Sequence, residues 1–214
     1  MESTKPDVVL KDFWRDNQRF ADLFNAVLFQ GKEVLIPDSL EEQDTEVSGI
    51  IEMKDYKETL SRTRDVVKKM ADGVEFVIFA AETQQRVHYA MPLRNMLYDS
   101  MGYLKECQEL PRKHRADGEK LSGDEFLSGL KKEDRLHPII SLIIYYGETG
   151  WDGPCSLHDM IFDMPEEIQA VFSDYPMNLL EVRDSGKYLF HNPDVRTVFE
   201  ISREAEDYLK ELLE

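Results

Sequence analysis

An Asp-Gly pair in the middle of the chain, Asp72-Gly73, separates two apolar-rich runs. A pair of this kind between two such runs is typical of a β-hairpin. If the pair is a two-residue loop, the strand ladder sets Asp65 opposite Ala80, and Glu82 lies diagonal to Asp65 on the same face. Gln84 points to that face as well, because strand side chains alternate with a period of two. The spacing predicts two carboxylates and an amide on one face, and one more loop residue would move Glu82 to the other.

The chemistry open to such a group of side chains is the binding of a divalent cation. The run before Glu82 is apolar on both faces, which predicts a strand covered on both sides. A glutamate at the end of such a strand needs a partner, and Mg²⁺ prefers carboxylate oxygens. Asp65 and Glu82 are therefore candidate ligands for Mg²⁺ or Mn²⁺. The alternative partner is a neighbouring arginine at the rim of the sheet: Arg62, Arg64 or Arg86.

The length and composition predict one globular domain that spans residues 1–214. Of the 214 residues, 42% are hydrophobic and 32% are charged, which is ordinary for a protein with its own core. We expect neither export nor membrane spanning, because there is no signal-peptide segment and no apolar run of about 18 residues. The two cysteines, Cys107 and Cys155, are far apart and favour a reducing compartment. The expected location is the cytoplasm.

The charge balance is strongly acidic. The chain has 26 lysines and arginines against 43 aspartates and glutamates, which gives a net charge of −17. Phosphate backbones attract basic surfaces, so the global balance does not indicate nucleic-acid binding. The acidic run at 41–46 predicts an exposed loop, with a second metal-binding strip or a mimic of phosphates as alternatives.

Apolar periodicity predicts the order of the helices and strands. Helices are expected at 12–30, 91–107, 165–172 and from 192 to the end, and strands at 47–53, 138–146 and 177–182 in addition to the hairpin. Residues 109–135 are charged and predict a mobile insertion with a short helix at 124–131. This order predicts an α/β fold, a mixed β-sheet flanked by helices on both faces.

Further candidates lie on the predicted helices. Asp22, on the first helix, could reach a metal held by the hairpin as an additional ligand. Arg94, at the start of the helix after the hairpin, could meet phosphates together with Arg86. His88 and Tyr89 could flank a substrate. A surface or capping role is the alternative for each of them.

Four segments of the chain resemble the recombination-promoting nuclease (Rpn) and transposase family of bacteria, within the PD-(D/E)XK nuclease superfamily. They are RFADLFNAVLF (19–29), RTRDVVKK (62–69), AETQQRVHYAMPLRNMLYD (81–99) and HPIISLIIYYGETGWDGPCSLHDM (137–160). The resemblance implies a restriction-endonuclease-like core that cleaves DNA phosphodiesters with Mg²⁺ or Mn²⁺, in recombination or mobile elements. It further implies that Asp65 and Glu82 hold the metal and that Gln84 positions the attacking water.

The chain departs from the pattern of that superfamily at Gln84, where the named motif has a lysine. An amide can orient water but carries no positive charge, which a neighbouring cation such as Lys68 or Arg64 would have to supply. The expected partner is DNA, with a homodimer as a further possibility. Two alternatives stay open: a nuclease fold that binds without chemistry, and an acidic DNA mimic that occupies a basic protein.

Overall fold

The computed structural model describes most of the chain. The described residues are 6–44, 46–53, 56–63, 65–70, 73–80, 87–147 and 149–213, and the description covers the backbone alone at 6–9, 46–53, 56–63, 78–80 and 204–213. The helices are α1 (Pro6–Arg15), α2 (Asn17–Leu28), α3 (Met91–Ala116), α4 (Gly123–Ser128), α5 (Glu166–Gln169) and α6 (Pro193–Leu213). The strands are β1 (Leu40–Glu42), β2 (Glu46–Met53), β3 (Tyr56–Thr63), β4 (Val66–Met70), β5 (Glu75–Ala80), β6 (Ile139–Tyr145) and β7 (Asn178–Glu181).

Five strands form one mixed sheet in the order β1-β4-β5-β6-β7. β1, β4 and β5 are antiparallel neighbours, whereas β5, β6 and β7 run parallel. β2 and β3 form a separate antiparallel pair, inserted between β1 and β4. β6 has a neighbour on each side, as expected from its nearly continuous apolar sequence. The predicted α/β class with a mixed sheet is confirmed.

The sheet has a hydrophobic cluster on each face. On one face, side chains of α1, α2 and α6 pack on alternate sheet positions such as Val66, Phe76 and Ile144. On the other face, α3 packs on Val67 and Ile143. Since side chains of a strand alternate between its two faces, β4, β5, β6 and β7 each contribute to both clusters. Within the described ranges, no helix has the length and apolar character needed to cross a membrane.

The first predicted helix is two helices, so the prediction of one helix over 12–30 is wrong in this respect. The helical conformation is interrupted at Asp16, whose backbone is extended (φ −65°, ψ 128°). The Asp16 carboxylate accepts a hydrogen bond from the Arg19 amide at 3.0 Å. This is an N-cap for α2, which satisfies an amide that lacks a partner within the helix. The backbone of α1 is helical from Pro6, whereas the predicted helix begins at residue 12.

The hairpin between β4 and β5 has a different register from the predicted one. Val66 pairs with Ile78 and Lys69 with Glu75, and the Gly73 amide donates to the Met70 carbonyl. The loop therefore contains three residues, with Gly73 in a left-handed conformation (φ 94°) at its end. By the same count Asp65 falls opposite Phe79 rather than Ala80.

Replacing Gly73 by alanine is expected to destabilise the fold by about 1–3 kcal/mol through backbone strain alone, and further through a clash. An alanine Cβ would lie 1.8 Å from the His137 ring. That ring hydrogen-bonds the carboxylate of Glu106, so its displacement costs this contact too. Thermal unfolding measures the loss. Gly118→Ala is the matched control, since its φ is 69° and nothing lies within 4 Å of the new Cβ; equal losses at both sites would contradict the clash.

Two other segments differ from the expectation. β3 was not predicted, and the acidic run begins with β1, in which Glu41 pairs with Lys69 across the sheet. Opposite charges on facing strands stabilise such an edge. The strand predicted at 47–53 is confirmed as β2. Helix α3 continues into the first third of the predicted 109–135 insertion and ends at Ala116.

A buried histidine, His114, connects two parts of the 109–135 insertion by hydrogen bonds. His114 contacts Glu119 at 2.6 Å and Asp134 at 2.8 Å through its two ring nitrogens. Both hydrogen bonds raise the pKa of His114 above its ordinary 6.5, and the bond to Asp134 makes the larger contribution. The bond to His114 lowers the pKa of Asp134 below 3.8, and Lys131 and then His114 lower that of Glu119 below 4.5.

The cluster around His114 predicts a pH window for the order of the insertion. The contribution of His114 is complete below pH 6.5 and is lost as the pH rises through its raised folded-state pKa. That of the two carboxylates is complete above about 4.5 and is lost as the pH falls through their lowered pKa values. Amide hydrogen exchange over 117–135 should therefore accelerate on both sides of this window, after correction for intrinsic rates. His114→Gln, which cannot titrate, should abolish the alkaline response, and an unchanged response would contradict the assignment.

Candidate functional site at the carboxyl end of the sheet

Asp65 precedes β4 directly, next to the ends of β5 and β6. β4 and β5 are antiparallel, so the start of β4 lies beside the end of β5, and Ala80 of β5 pairs in turn with Ile144 of β6. The carboxyl ends of parallel strands are where α/β sheets ordinarily bind ligands. Asp65 therefore lies at the end of the sheet that is best suited to a functional site.

We call Asp65, Lys11, Tyr146 and Trp14 the Asp65 site. Lys11 pairs with Asp65, Tyr146 lies close enough to feel the charge of Asp65, and Trp14 contacts Tyr146. The Lys11 ammonium, from α1, lies 3.1 Å from Asp65 Oδ1, and the Asp65 side chain is 15% exposed. Tyr146 follows β6, and the Trp14 indole nitrogen donates to its hydroxyl at 3.4 Å. Burial raises the pKa of the Tyr146 phenol, the bond from Trp14 opposes this, and the Asp65 carboxylate adds to the rise. The phenol therefore stays protonated and can donate a hydrogen bond.

The sequence patterns did not indicate Lys11 or Tyr146 as members of the site. Lys11 lies just before the predicted helix at 12–30, and nothing in its surroundings in sequence predicts a contact with Asp65. Tyr146 ends the apolar run of the central strand. The preference of ligands for the carboxyl ends of parallel strands is the signal that could have identified it.

Lys68 was expected to supply positive charge to the substrate at the site, but its ammonium has a structural role. Its side chain is 1% exposed, and its ammonium donates to the Arg15 carbonyl and to Asn17 Oδ1, both at 2.5 Å. Desolvation lowers the pKa of Lys68, which the carboxylate of Glu42 partly offsets. In this arrangement the ammonium binds the junction between α1 and α2 and is not available to a phosphate or to a water at Asp65.

Four of the predicted site residues lie outside the described residues: Arg64, Glu82, Gln84 and Arg86. Glu82 was expected on the same face as Asp65 because of a two-residue loop, and the observed register removes that support. The resemblance of the surrounding segments remains as the basis for Glu82 and Gln84.

The predicted residues around the start of α3 are described. His88 accepts a hydrogen bond from the Ala90 amide at 3.2 Å, which is a local capping contact. Tyr89 is exposed, and its hydroxyl is 3.5 Å from Asp152 in the loop after β6. Arg94 donates to the Tyr98 hydroxyl at 3.0 Å, one turn along α3. Tyr89 thus lies near the carboxyl end of the sheet, whereas His88 and Arg94 have local partners.

Asp22 lies in another part of the molecule. It faces a cleft between α2, the loop that follows it and the beginning of α6, and its Oδ1 accepts from the His191 amide at 2.8 Å. This position gives no support to the expectation that Asp22 joins Asp65 as a metal ligand.

The Asp65 site fits a divalent cation in its donor type and supplies part of the ligand set. A partly exposed carboxylate has the hard oxygen atoms that Mg²⁺ prefers. The Lys11 ammonium competes for one of these oxygens. In the described parts of the chain, no three His, Cys, Asp or Glu side chains come together as a metal-binding group. A second carboxylate would have to come from a residue such as Glu82.

The acidic run has counterions within the chain. Glu42 pairs with Arg15 at 3.2 Å, and Asp44 with Lys105 at 3.3 Å. Carboxylates engaged in this way, on a strand whose side chains alternate between faces, do not form a single acidic surface. The run therefore gives no support to the DNA-mimic alternative.

The chain matches no protein-family model, no curated protein and no solved structure. The nuclease resemblance thus stays a prediction from the four segments.

Proposed function

We propose that this protein is a metal-dependent DNA endonuclease of the Rpn type with a restriction-endonuclease-like core. The observation that carries the proposal is the position of Asp65 at the carboxyl end of the mixed sheet. β5 ends at the same end of the sheet, and the segment with Glu82 and Gln84 begins directly after it in the sequence. The resemblance rests on the four segments named above, and its pattern has an Asp on one strand followed by Glu-x-Gln on the next, here Asp65, Glu82 and Gln84.

In this proposal Asp65 and Glu82 hold a Mg²⁺ or Mn²⁺ ion, which polarises a phosphoryl oxygen and activates water. Gln84 orients the attacking water through its amide. The proposed substrate is the phosphodiester backbone of DNA, and the proposed setting is recombination or mobile elements in the cytoplasm. Cys107 and Cys155 are free thiols, which suits a reducing compartment.

Lys11 is the cation that best compensates for the missing motif lysine in this proposal. Its ammonium is in contact with Asp65 at 3.1 Å, whereas the ammonium of Lys68 is bound elsewhere. A positive group at this position stabilises negative charge that develops on the phosphate in the transition state. Tyr146, which stays protonated, is the second donor near Asp65.

The net charge of −17 predicts how strongly the proposed enzyme binds DNA. An acidic surface repels the DNA backbone, so binding should be weak, and cleavage should depend strongly on the divalent ion that screens the repulsion.

Cleavage assays with two substrates and three metal conditions test the proposal. Supercoiled plasmid and single-stranded DNA are incubated with Mg²⁺, Mn²⁺ or EDTA. We expect products with either metal and none with EDTA. Lys11→Met should reduce the rate while the protein stays folded, and Lys32→Met, a change at an exposed lysine outside the site, should not. Absence of products with either metal would contradict the endonuclease.

A nuclease fold that binds without chemistry is the second candidate. The ion pair between Lys11 and Asp65 favours it, because an ammonium at 3.1 Å occupies one oxygen of the proposed metal ligand. Isothermal titration with Mg²⁺ and Mn²⁺ separates the candidates. Metal binding that is lost in Asp65→Asn supports the enzyme, whereas DNA binding without any metal binding supports the binding module.

A further inference from the structure

A cleft beside α6, which we call the α6 cleft, lies at the same end of the sheet as the Asp65 site. The short 3₁₀ helix Val182–Lys187 follows β7 directly, and β7 runs parallel to β6, so this short helix lies at the carboxyl end of the sheet. The α6 cleft lies between the segment 185–191 and α6 and has a volume of about 340 Å³. Its lining includes the aromatic rings of Phe190 and Phe199, which are 4.9 Å apart.

Two arginines of α6, Arg196 and Arg203, line this cleft. They are seven residues apart, which places them on one face of the helix, with Cα atoms about 10 Å apart along its axis. Within the described ranges neither guanidinium has an ion pair or a hydrogen-bond partner, and among the other described arginines this holds only for Arg112 of α3. In a chain with a net charge of −17, two unpaired guanidiniums in one cleft indicate a site for an external anion.

The position of Arg203 depends on a glycine. A Cβ at Gly186 would overlap the Arg203 guanidinium, so this group packs directly on the backbone of the 3₁₀ helix. Gly186 itself is outside the left-handed region, so alanine can adopt its backbone conformation. Contact with the backbone limits the freedom of a long side chain, and a guanidinium that is already in position loses less entropy on binding.

The spacing of the two arginines selects a DNA strand over a small anion. A guanidinium can bind one phosphate through two N–H donors. Two such groups about 10 Å apart along a helix suit two phosphates of one strand.

The place of the α6 cleft in the fold gives the same result. β4 and β7 are three strand spacings apart, so the cleft is about 14 Å from Asp65 across the end of the sheet. A DNA strand advances about 3.4 Å per nucleotide, so about four nucleotides cover this distance. The Phe199 ring also lies 5.9 Å from the ring of Trp14, which belongs to the Asp65 site, so the two regions adjoin each other.

A carboxylate between the two arginines opposes the binding of an anion. Glu200 lies on the same face of α6 and lines the cleft, and it has no cation partner in the described part of the chain. Its charge repels an incoming phosphate. Removal of this carboxylate should therefore strengthen the binding of DNA.

We propose that Arg196 and Arg203 bind backbone phosphates of the DNA strand on one side of the Asp65 site, about four nucleotides from the scissile phosphate. This inference rests on the proposed endonuclease, because it assumes that the strand bound at the α6 cleft is the one cleaved at Asp65. The two arginines supply local positive charge on a strongly acidic protein.

Fluorescence anisotropy of a short labelled single strand, titrated with the full chain in EDTA at a series of salt concentrations, tests the proposal. Arg196→Gln and Arg203→Gln should each weaken binding by about threefold or more and reduce the slope of log K against log salt by about 0.7, the value for one phosphate contact. Arg112→Gln removes an equal charge on α3 and should leave the slope unchanged. Glu200→Gln should strengthen binding.

Gly186→Ala separates the position of the Arg203 guanidinium from the net charge. This variant keeps the charge and should weaken binding, because the new Cβ displaces the guanidinium. The fold should be retained, since the displaced group is the end of a flexible side chain. If an arginine variant does not fold, the comparison of Gly186→Ala with wild type decides.

Three results would overturn the proposal: unchanged salt slopes in both arginine variants, no binding of the strand by wild type at millimolar concentrations, or dTMP binding as tightly as the strand. Since EDTA removes the metal, this test does not depend on cleavage. Cleavage by wild type with unchanged slopes contradicts the α6 cleft alone. Arginine-dependent binding without cleavage in any metal supports the α6 cleft and contradicts the endonuclease alone.

Discussion

Replacing Asp65 by alanine is expected to reduce metal-dependent DNA cleavage by about 10²–10³-fold or more, the loss typical of removing one group that stabilises transition-state charge. The fold should survive, because Asp65 lies at the end of the sheet and its partner Lys11 is 29% exposed. The Lys11 ammonium can therefore turn to solvent when the carboxylate is removed. The measurement is the initial rate of plasmid nicking in Mg²⁺ at equal concentrations of folded protein.

Asp12→Asn is the matched control for Asp65. Asp12 lies on α1 next to Lys11, is exposed, and pairs with Arg15 at 3.0 Å. Its removal changes the net charge as Asp65→Ala does and leaves the Asp65 site intact. Equal rates for wild type, Asp65→Ala and Asp12→Asn would show that any cleavage comes from another site or from a contaminant.

Replacing Lys68 by alanine is expected to destabilise the protein by about 2–4 kcal/mol, because it leaves two acceptors unpaired and a cavity behind. The acceptors are the Arg15 carbonyl and Asn17 Oδ1. The ammonium also lies 5.6 Å from the centre of the Phe20 ring, and this contact is lost as well. For a chain of this size the midpoint of thermal unfolding should fall by about 5–15 °C.

Lys69→Ala provides the comparison for Lys68→Ala. Lys69 is the next residue of β4, is less buried, and faces Glu41 and Glu75 across the sheet. Its removal should cost about 0.5–1 kcal/mol, as for an ordinary cross-strand pair. If Lys68 contacts DNA instead, Lys68→Ala will weaken DNA binding without lowering the midpoint of unfolding.

The long apolar patterns predicted the fold well. The run that forms β6, the stripe that forms α3 and the periodicity of α6 are confirmed, because burial imposes the period of each element on its sequence. The boundary between α1 and α2 was not predicted, because Asp16 ends one helix and caps the next while the apolar periodicity of the sequence continues across it. β3 was missed because it pairs only with β2, outside the main sheet, and its sequence is mostly polar.

The site was less predictable because it depends on register and on contacts distant in sequence. Asp72-Gly73 is compatible with loops of two or three residues, and the choice between them moves side chains from one face to the other. The burial of Lys68 was not predicted, since lysines are rarely buried. Its two acceptors, at the junction of α1 and α2, are about fifty positions away in sequence. Lys11 likewise meets Asp65 only after folding.

The most direct test of the proposed enzyme is plasmid nicking by wild type and Glu82→Gln, measured side by side in Mg²⁺ and in EDTA. Glutamine keeps the size of the side chain and removes its charge. The proposal predicts nicking by the wild type that requires the metal and is lost in Glu82→Gln. Nicking by folded Glu82→Gln at the wild-type rate, or nicking by either protein in EDTA, would contradict it.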